Sequence, residues 1–159
     1  MKFKLNDWVV YPGHGVGQIT RDETKEIFGK TQQFFTIEIS TSNMKMLVPS
    51  DNVRQVGLRK ILSKNQINKV FEEVKSIPVI RENRWEKRYR VYMEQIKTGQ
   101  FIDIVTVLKQ LTGNKEDFDL SFGERKMLET AKELVTEEVS LAWNVHREKA
   151  EEIITEKLR

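Results

Sequence analysis

The spacing of apolar residues changes once along the chain, from a period of two to a period between three and four. In the first 50 residues, Phe35, Ile37 and Ile39 alternate with polar residues, between segments rich in Gly, Pro, Asn and Ser. This alternation is typical of β-strands that bury one face. From about residue 59 onwards, the apolar residues recur at helical spacing. We therefore predict an α+β chain, with a small twisted sheet or open barrel in residues 1–55 and a compact all-α domain in residues 60–159.

Capping residues predict where the helices begin and end. The segments Ser63–Gln66 and Ser121–Glu124 both match the capping box, in which the first and fourth residues bond reciprocally. Asn83, with Glu86 three residues later, predicts the start of another helix, and Gly99 is expected just past its end.

The composition excludes several classes of protein. Cysteine is absent from the 159 residues, so neither disulfides nor thiolate metal sites are expected. No apolar run is long enough for a membrane span, and the first residues lack the apolar stretch of a secretory signal. These features favour a cytoplasmic protein.

Charge is distributed unevenly. Residues 54–112 carry thirteen Lys or Arg and six Asp or Glu, a net charge of +7. Residues 1–53 are neutral overall, and residues 113–159 have a net charge of −4. A basic block between neutral and acidic blocks indicates a localised site for a polyanion. An ordinary solvated helical surface is the alternative explanation.

Within the basic block, the heptapeptide Arg84-Trp85-Glu86-Lys87-Arg88-Tyr89-Arg90 combines four cations with two aromatic rings. Cationic side chains neutralise phosphates, and aromatic rings stack on bases or wedge between them. The segment therefore predicts a DNA contact centred on Trp85. Positions 85, 89, 92 and 96 share one helical face, however, so Trp85 could equally head an apolar stripe that packs inside the domain.

Motifs for catalysis are weak. Gly13-His14-Gly15-Val16-Gly17 lacks the Lys and the following helix of a phosphate-binding loop, and it is better explained as a tight turn. The two histidines, His14 and His146, lie far apart without ligands at metal-binding spacing. We expect no enzyme activity, no metal and no cofactor.

Several segments match a known family. Residues 3–17 resemble the opening of the CarD/CdnL family of bacterial transcription factors, an opening that transcription-repair coupling factors share. Four later segments are also similar to that family, in order and with the spacing kept: Val48-Pro49 with Val56–Arg59, Trp85–Arg90, Ile96–Gly99 and Leu120–Leu128.

The resemblance implies a Tudor-like N-terminal domain that binds the RNA polymerase β subunit by pairing with an edge strand. The polymerase-facing residues it implies are Lys25, Ile27, Leu47 and Pro49. Leu47 replaces a basic residue found in some members. Association with the nucleoid would then occur through the polymerase.

For the helical domain, the resemblance implies contact with promoter DNA at the upstream edge of the transcription bubble. Trp85 would wedge into the minor groove and stabilise the open complex, with Lys87, Arg88 and Arg90 on the backbone and Arg84 added on charge alone. Two alternatives remain open: a protein adaptor without a direct DNA role, in which Trp85 anchors a protein partner, and an RNA-binding module. A monomer is the default expectation.

Overall fold

A computed structural model describes residues 2–79, 84–114 and 120–159, without the side chains of Trp85 and Asn114. The chain divides into two compact units, Met1–Ile61 and Leu62–Arg159. The first unit contains the β-strands and the second the α-helices, which confirms the predicted α+β class. Among the described residues, none of the helices is long and apolar enough to cross a membrane.

The first unit is a five-stranded antiparallel sheet. Its strands are, in chain order, β1 (Trp8–Tyr11), β2 (Gly15–Ile27), β3 (Lys30–Ile39), β4 (Lys45–Pro49) and β5 (Arg59–Lys60). They lie side by side in the order β4-β3-β2-β1-β5, so β4 and β5 form the two edges. A short 3₁₀ helix, Ser50–Asn52, follows β4.

One face of the sheet carries the core of this unit. Alternate residues of each strand point to that face, as the period of two predicted, and seven buried side chains form the cluster: Val9, Ile19, Phe35, Ile37, Ile39, Val48 and Leu58. Gly17 allows the strands to pack closely, because an added Cβ would lie 2.8 Å from the Ile37 Cγ2 atom. The glycine-rich segment between β1 and β2 is a turn, with φ of +84° at Gly13.

The first unit extends past residue 55, where the sequence pattern placed its end. Strand β5 pairs with β1 through Val10 and Arg59, and Leu58 is part of the apolar core. The two-residue strand is too short to show an alternating pattern, so its pairing was not visible in the sequence.

The second unit contains five helices. They are α1 (Lys64–Lys75), α2 (Trp85–Lys97), α3 (Phe101–Asn114), α4 (Phe122–Trp143) and α5 (Arg147–Lys157). Apolar stripes from all five meet in one core, whose largest fully buried side chains include Phe71, Ile67 and Leu111. The buried Glu138 carboxylate accepts a hydrogen bond from the Leu62 N–H at 2.9 Å, which ties the start of this unit to α4.

Both predicted capping boxes are present, at Ser63 with Gln66 and at Ser121 with Glu124. The start of α2 differs from the prediction. Arg84 is its N-cap, without a side-chain capping bond, and the proposed cap Asn83 lies outside the described residues.

Candidate functional site

The first two turns of α2 present cations to the solvent. Arg84, Lys87 and Arg90 are all exposed, and Lys87 and Arg90 lie three residues apart on one face of the helix. Side chains on this face can approach a phosphate backbone without disturbing the core. Trp85 is the first residue of α2, but its side chain lies outside the described part of the structure, so the wedge stays a prediction.

Arg88 belongs to the interior and not to this cationic face. Its side chain is 6% exposed, and it binds the Glu124 carboxylate with two hydrogen bonds, Nε to Oε2 at 2.8 Å and Nη2 to Oε1 at 2.9 Å. The pair uses two of the five N–H donors of the guanidinium, and a side chain buried to this extent is not presented to a phosphate backbone. The burial of Arg88 and its ion pair with Glu124 argue against the predicted contact with DNA, because its charge is used within the fold.

The ion pair fixes the protonation of its partner. Burial alone would raise the pKa of Glu124, but hydrogen bonds from Arg88 and from the Ser121 N–H outweigh burial and hold this pKa below its usual value. Burial also raises the pKa of the neighbouring Tyr92 hydroxyl. Glu124 is thus a carboxylate with two tasks, since it closes the capping box of α4 and neutralises Arg88.

The N-terminus of α4 packs closely against α2. A Cβ added at Gly123 would lie 3.2 Å from the Tyr89 ring, so the glycine permits this approach. Next to it Phe122 is 73% exposed, and the Lys126 ammonium lies 5.0 Å from the centre of its ring. The structure therefore adds an exposed aromatic ring and a cation beside the basic helix.

Sequence reasoning did not single out Phe122 or Lys126 as functional residues. A signal was present, because Phe122 is the first helical residue of a capping box and falls outside the apolar stripe of Met127, Ala131 and Val135. An aromatic residue off the stripe at a helix start is a candidate surface contact.

The four residues proposed to face the polymerase lie on one face of the sheet. Pro49 pairs with Phe34, and Phe34 pairs with Glu23, which puts Lys25 and Ile27 on the same face as Pro49 and Leu47. This outer face is opposite the core. The Lys25 ammonium lies 5.9 Å from the centre of the Phe34 ring, which joins the β2 residues to the β4 residues.

Two apolar side chains on this outer face are exposed to solvent over a large part of their area. Leu47 is 55% exposed and Ile27 is 42% exposed. Because β4 is an edge strand, it also presents backbone groups that can pair with a strand of another protein.

Residues for metal binding do not gather in the described ranges. Neither histidine lies in a group of three His, Cys, Asp or Glu that could hold an ion there. The His14 and Tyr11 rings instead pack edge to face, with 5.2 Å between their centres.

Family models match both units. The model of the CarD-like/TRCF RID domain matches residues 3–62, and the model of the CarD C-terminal domain matches residues 69–155. The chain belongs to the CarD/CdnL family. Members of this family are transcription regulators that interact with RNA polymerase, and the matched ranges coincide closely with the sheet unit and the helical unit.

One individual relative agrees with this assignment. YdeB of Bacillus subtilis (strain 168) is 31% identical over 142 residues, which cover 87% of this chain and 91% of YdeB. Among solved structures, the CdnL N-terminal domain of Myxococcus xanthus is 39% identical, with a TM-score of 0.34 over 40% of this chain and 90% of that one. The N-terminal domain of Myxococcus xanthus CarD is 30% identical, with a TM-score of 0.32 over 37% of this chain and 79% of that one.

Proposed function

We propose that this protein binds the β subunit of RNA polymerase through its sheet unit and stabilises the promoter open complex through its helical unit. It acts as a monomer in the cytoplasm and associates with the nucleoid through the polymerase. In the helical unit, Trp85 wedges into the minor groove at the upstream edge of the bubble. Arg84, Lys87 and Arg90 bind the phosphate backbone.

The observation that carries the DNA side of this proposal is the exposed cationic start of α2. Three cations within two turns attract phosphates without regard to base sequence. Exposed Phe122 and Lys126 lie at the start of α4, which packs against α2 at Gly123 and Tyr89. An aromatic ring next to cations is the combination found where proteins hold unstacked bases.

The polymerase side of the proposal rests on the outer face of the sheet. Lys25, Ile27, Leu47 and Pro49 share this face, and two of them are apolar side chains with large exposed fractions. The edge strand β4 supplies unpaired backbone groups for an added strand, and the side chains beside it give specificity.

Attachment to the polymerase explains how a weak DNA contact suffices. Once the sheet unit is bound, the helical unit meets the DNA at an effective concentration that can reach the millimolar range. An interaction that favours the open over the closed state by about 1.4 kcal/mol shifts their equilibrium tenfold. No chemical step is required.

The test is the lifetime of the open complex on a fluorescent promoter, with bacterial RNA polymerase and either wild-type protein or Trp85→Ala. Wild-type protein should lengthen the lifetime, and Trp85→Ala should bind polymerase normally but lose this effect. Trp85→Phe, which keeps a ring, is the matched control and should retain part of it. If Trp85→Ala lengthened the lifetime of the open complex as much as wild-type protein does, the wedge would be contradicted.

A protein adaptor is the second candidate function. It is favoured by exposed apolar side chains on the helical unit, where Val91 is 46% exposed and Phe122 is 73% exposed. Such residues can anchor a protein partner. Partner binding that is insensitive to salt, together with no crosslinking of the helical unit to promoter DNA, would support the adaptor over the DNA contact.

A further inference from the structure

The tip of the hairpin between β2 and β3 carries a phenylalanine that the fold itself does not use. Ile27 pairs with Lys30, so the loop consists of Phe28 and Gly29 alone. Their φ angles are +51° and +76°. Positive φ at both positions is the geometry of a type I′ turn, for which Asn-Gly or Gly-Gly is preferred.

Phe28 is unfavourable there on two grounds. A side chain with Cβ rarely adopts positive φ, and bulky residues do so least readily. The ring is also fully exposed, at 101% of its reference area, so it gains nothing from burial in this chain. Residues in strained backbone conformations cluster at functional sites. A partner that buries the Phe28 ring would offset the cost of the strain.

The surroundings of the tip indicate the kind of partner. Ile27, 42% exposed, adjoins Phe28 on the strand, and the Lys25 and Lys30 side chains share the outer face of the sheet with it. The same face continues to Phe34 and on to the β4 edge. Residues 25–30 hold two cations, Lys25 and Lys30, and one acid, Glu26, so the tip combines an exposed ring with a small excess of positive charge. This combination fits an apolar pocket that has an acidic rim.

We infer that Phe28 inserts into an apolar pocket of the RNA polymerase surface, as a second anchor of the sheet unit. The inference rests on the proposed polymerase binding and extends it to a residue outside the four named above. The two anchors are Phe28 at the hairpin tip and Leu47 on β4. Leu47 pairs with Thr36, which lies six residues along β3 from Lys30 at the tip, so the two anchors are about 20 Å apart. Two separated anchors would fix the orientation of the sheet on the polymerase. Strand pairing along β4 alone would constrain this orientation less.

The experiment compares binding of full-length protein to bacterial RNA polymerase core enzyme, together with thermal unfolding, for four proteins. These are wild type, Phe28→Asn, Phe28→Leu and the control Leu5→Ser. Leu5 is a suitable control because it is also an exposed apolar residue, at 51%. It lies far from the hairpin tip: the N–H of its neighbour Asn6 donates to the Ile19 carbonyl, and Ile19 is eight residues, about 26 Å, along β2 from Ile27.

Phe28→Asn should weaken polymerase binding about 10- to 100-fold, since a phenylalanine ring loses its pocket. Its melting temperature should stay the same or rise, because Asn-Gly suits the turn better. Phe28→Leu should keep most of the affinity, and Leu5→Ser should match wild type. This opposite movement of affinity and stability is not expected from a residue that only shapes the hairpin.

Two results would overturn the inference, and they are distinguishable. Failure of wild-type protein to bind polymerase would remove the proposed function and the anchor together. Normal wild-type binding with an equal affinity for Phe28→Asn would remove the anchor alone. In the second case, binding of both proteins to phosphatidylserine vesicles is measured. If wild type binds the vesicles and Phe28→Asn does not, the ring is assigned to a membrane surface instead.

Discussion

Replacement of Glu124 by Ala tests the role assigned to the buried ion pair. The side chains of Arg88 and Glu124 are 6% and 2% exposed and share two short hydrogen bonds. Removing one partner leaves an uncompensated buried charge, which costs about 3–5 kcal/mol. Folded domains have unfolding free energies of about 5–15 kcal/mol, so this loss is a large part of the total. For a domain of about 100 residues, the melting temperature should fall by about 12 °C or more.

The assay is urea unfolding followed by the helical circular dichroism signal. Glu129→Ala is the matched control, because Glu129 is an exposed carboxylate on the same helix, and it should change the unfolding free energy by no more than about 0.5 kcal/mol. The double variant Arg88→Met/Glu124→Leu should recover most of the lost stability, since well-packed apolar residues can replace a buried ion pair at little cost. The reasoning is refuted if Glu124→Ala behaves like Glu129→Ala, or if the double variant is as unstable as the single one.

The same pair predicts a pH dependence. The pKa of Glu124 is lower in the folded state than in the unfolded state, so its ion pair stabilises the protein fully above the unfolded value, about 4.3. This contribution is lost as the pH falls through the lower folded pKa. The unfolding free energy of wild type should therefore fall relative to that of the double variant below about pH 4. A difference between the two proteins that stays constant down to the pH of acid unfolding would contradict the assignment.

Three further outcomes follow from single contacts. Gly17→Ala should destabilise the sheet unit by about 1–3 kcal/mol in urea unfolding, because the added methyl group would lie 2.8 Å from Ile37 Cγ2. Binding to a forked promoter DNA should depend less on salt in the double variant Lys87→Ala/Arg90→Ala, with the slope of log K against log salt concentration smaller in magnitude by about 1.8. An unchanged slope would place these cations away from the phosphates. Leu47→Glu should abolish the effect on open-complex lifetime at a limiting protein concentration and recover it at a high one, and failure to recover would mean that the sheet unit does more than attach the protein to polymerase.

Local signals were sufficient for the parts of the fold that depend on neighbouring residues. The capping boxes at Ser63 and Ser121 are reciprocal bonds within four residues, and both were found from the sequence. The alternation of Phe35, Ile37 and Ile39 identified the buried face of β3, because all three point to the same side of a strand.

Pairings over long sequence distances were not predictable in the same way. Glu124 lies 36 residues from Arg88, and nothing local to the heptapeptide distinguishes Arg88 from the three exposed cations around it. A helical projection gives a partial signal, since Arg88 lies four residues before Tyr92 and eight before Ile96, both of which are buried. Whether a cation on such a stripe is buried depends on a carboxylate supplied by another helix.

The burial of Arg88 changes what the basic helix can do. Its charge is neutralised within the fold, so the net positive charge at the start of α2 comes from the exposed cations, and it is smaller than the count of basic residues in the heptapeptide suggests. The pair holds the start of α4, which carries Phe122 and Lys126, against α2. A contact with phosphates does not depend on base sequence, so on its own it cannot select a promoter. Under the proposed function, selection of the site must therefore come from the polymerase to which the sheet unit is bound.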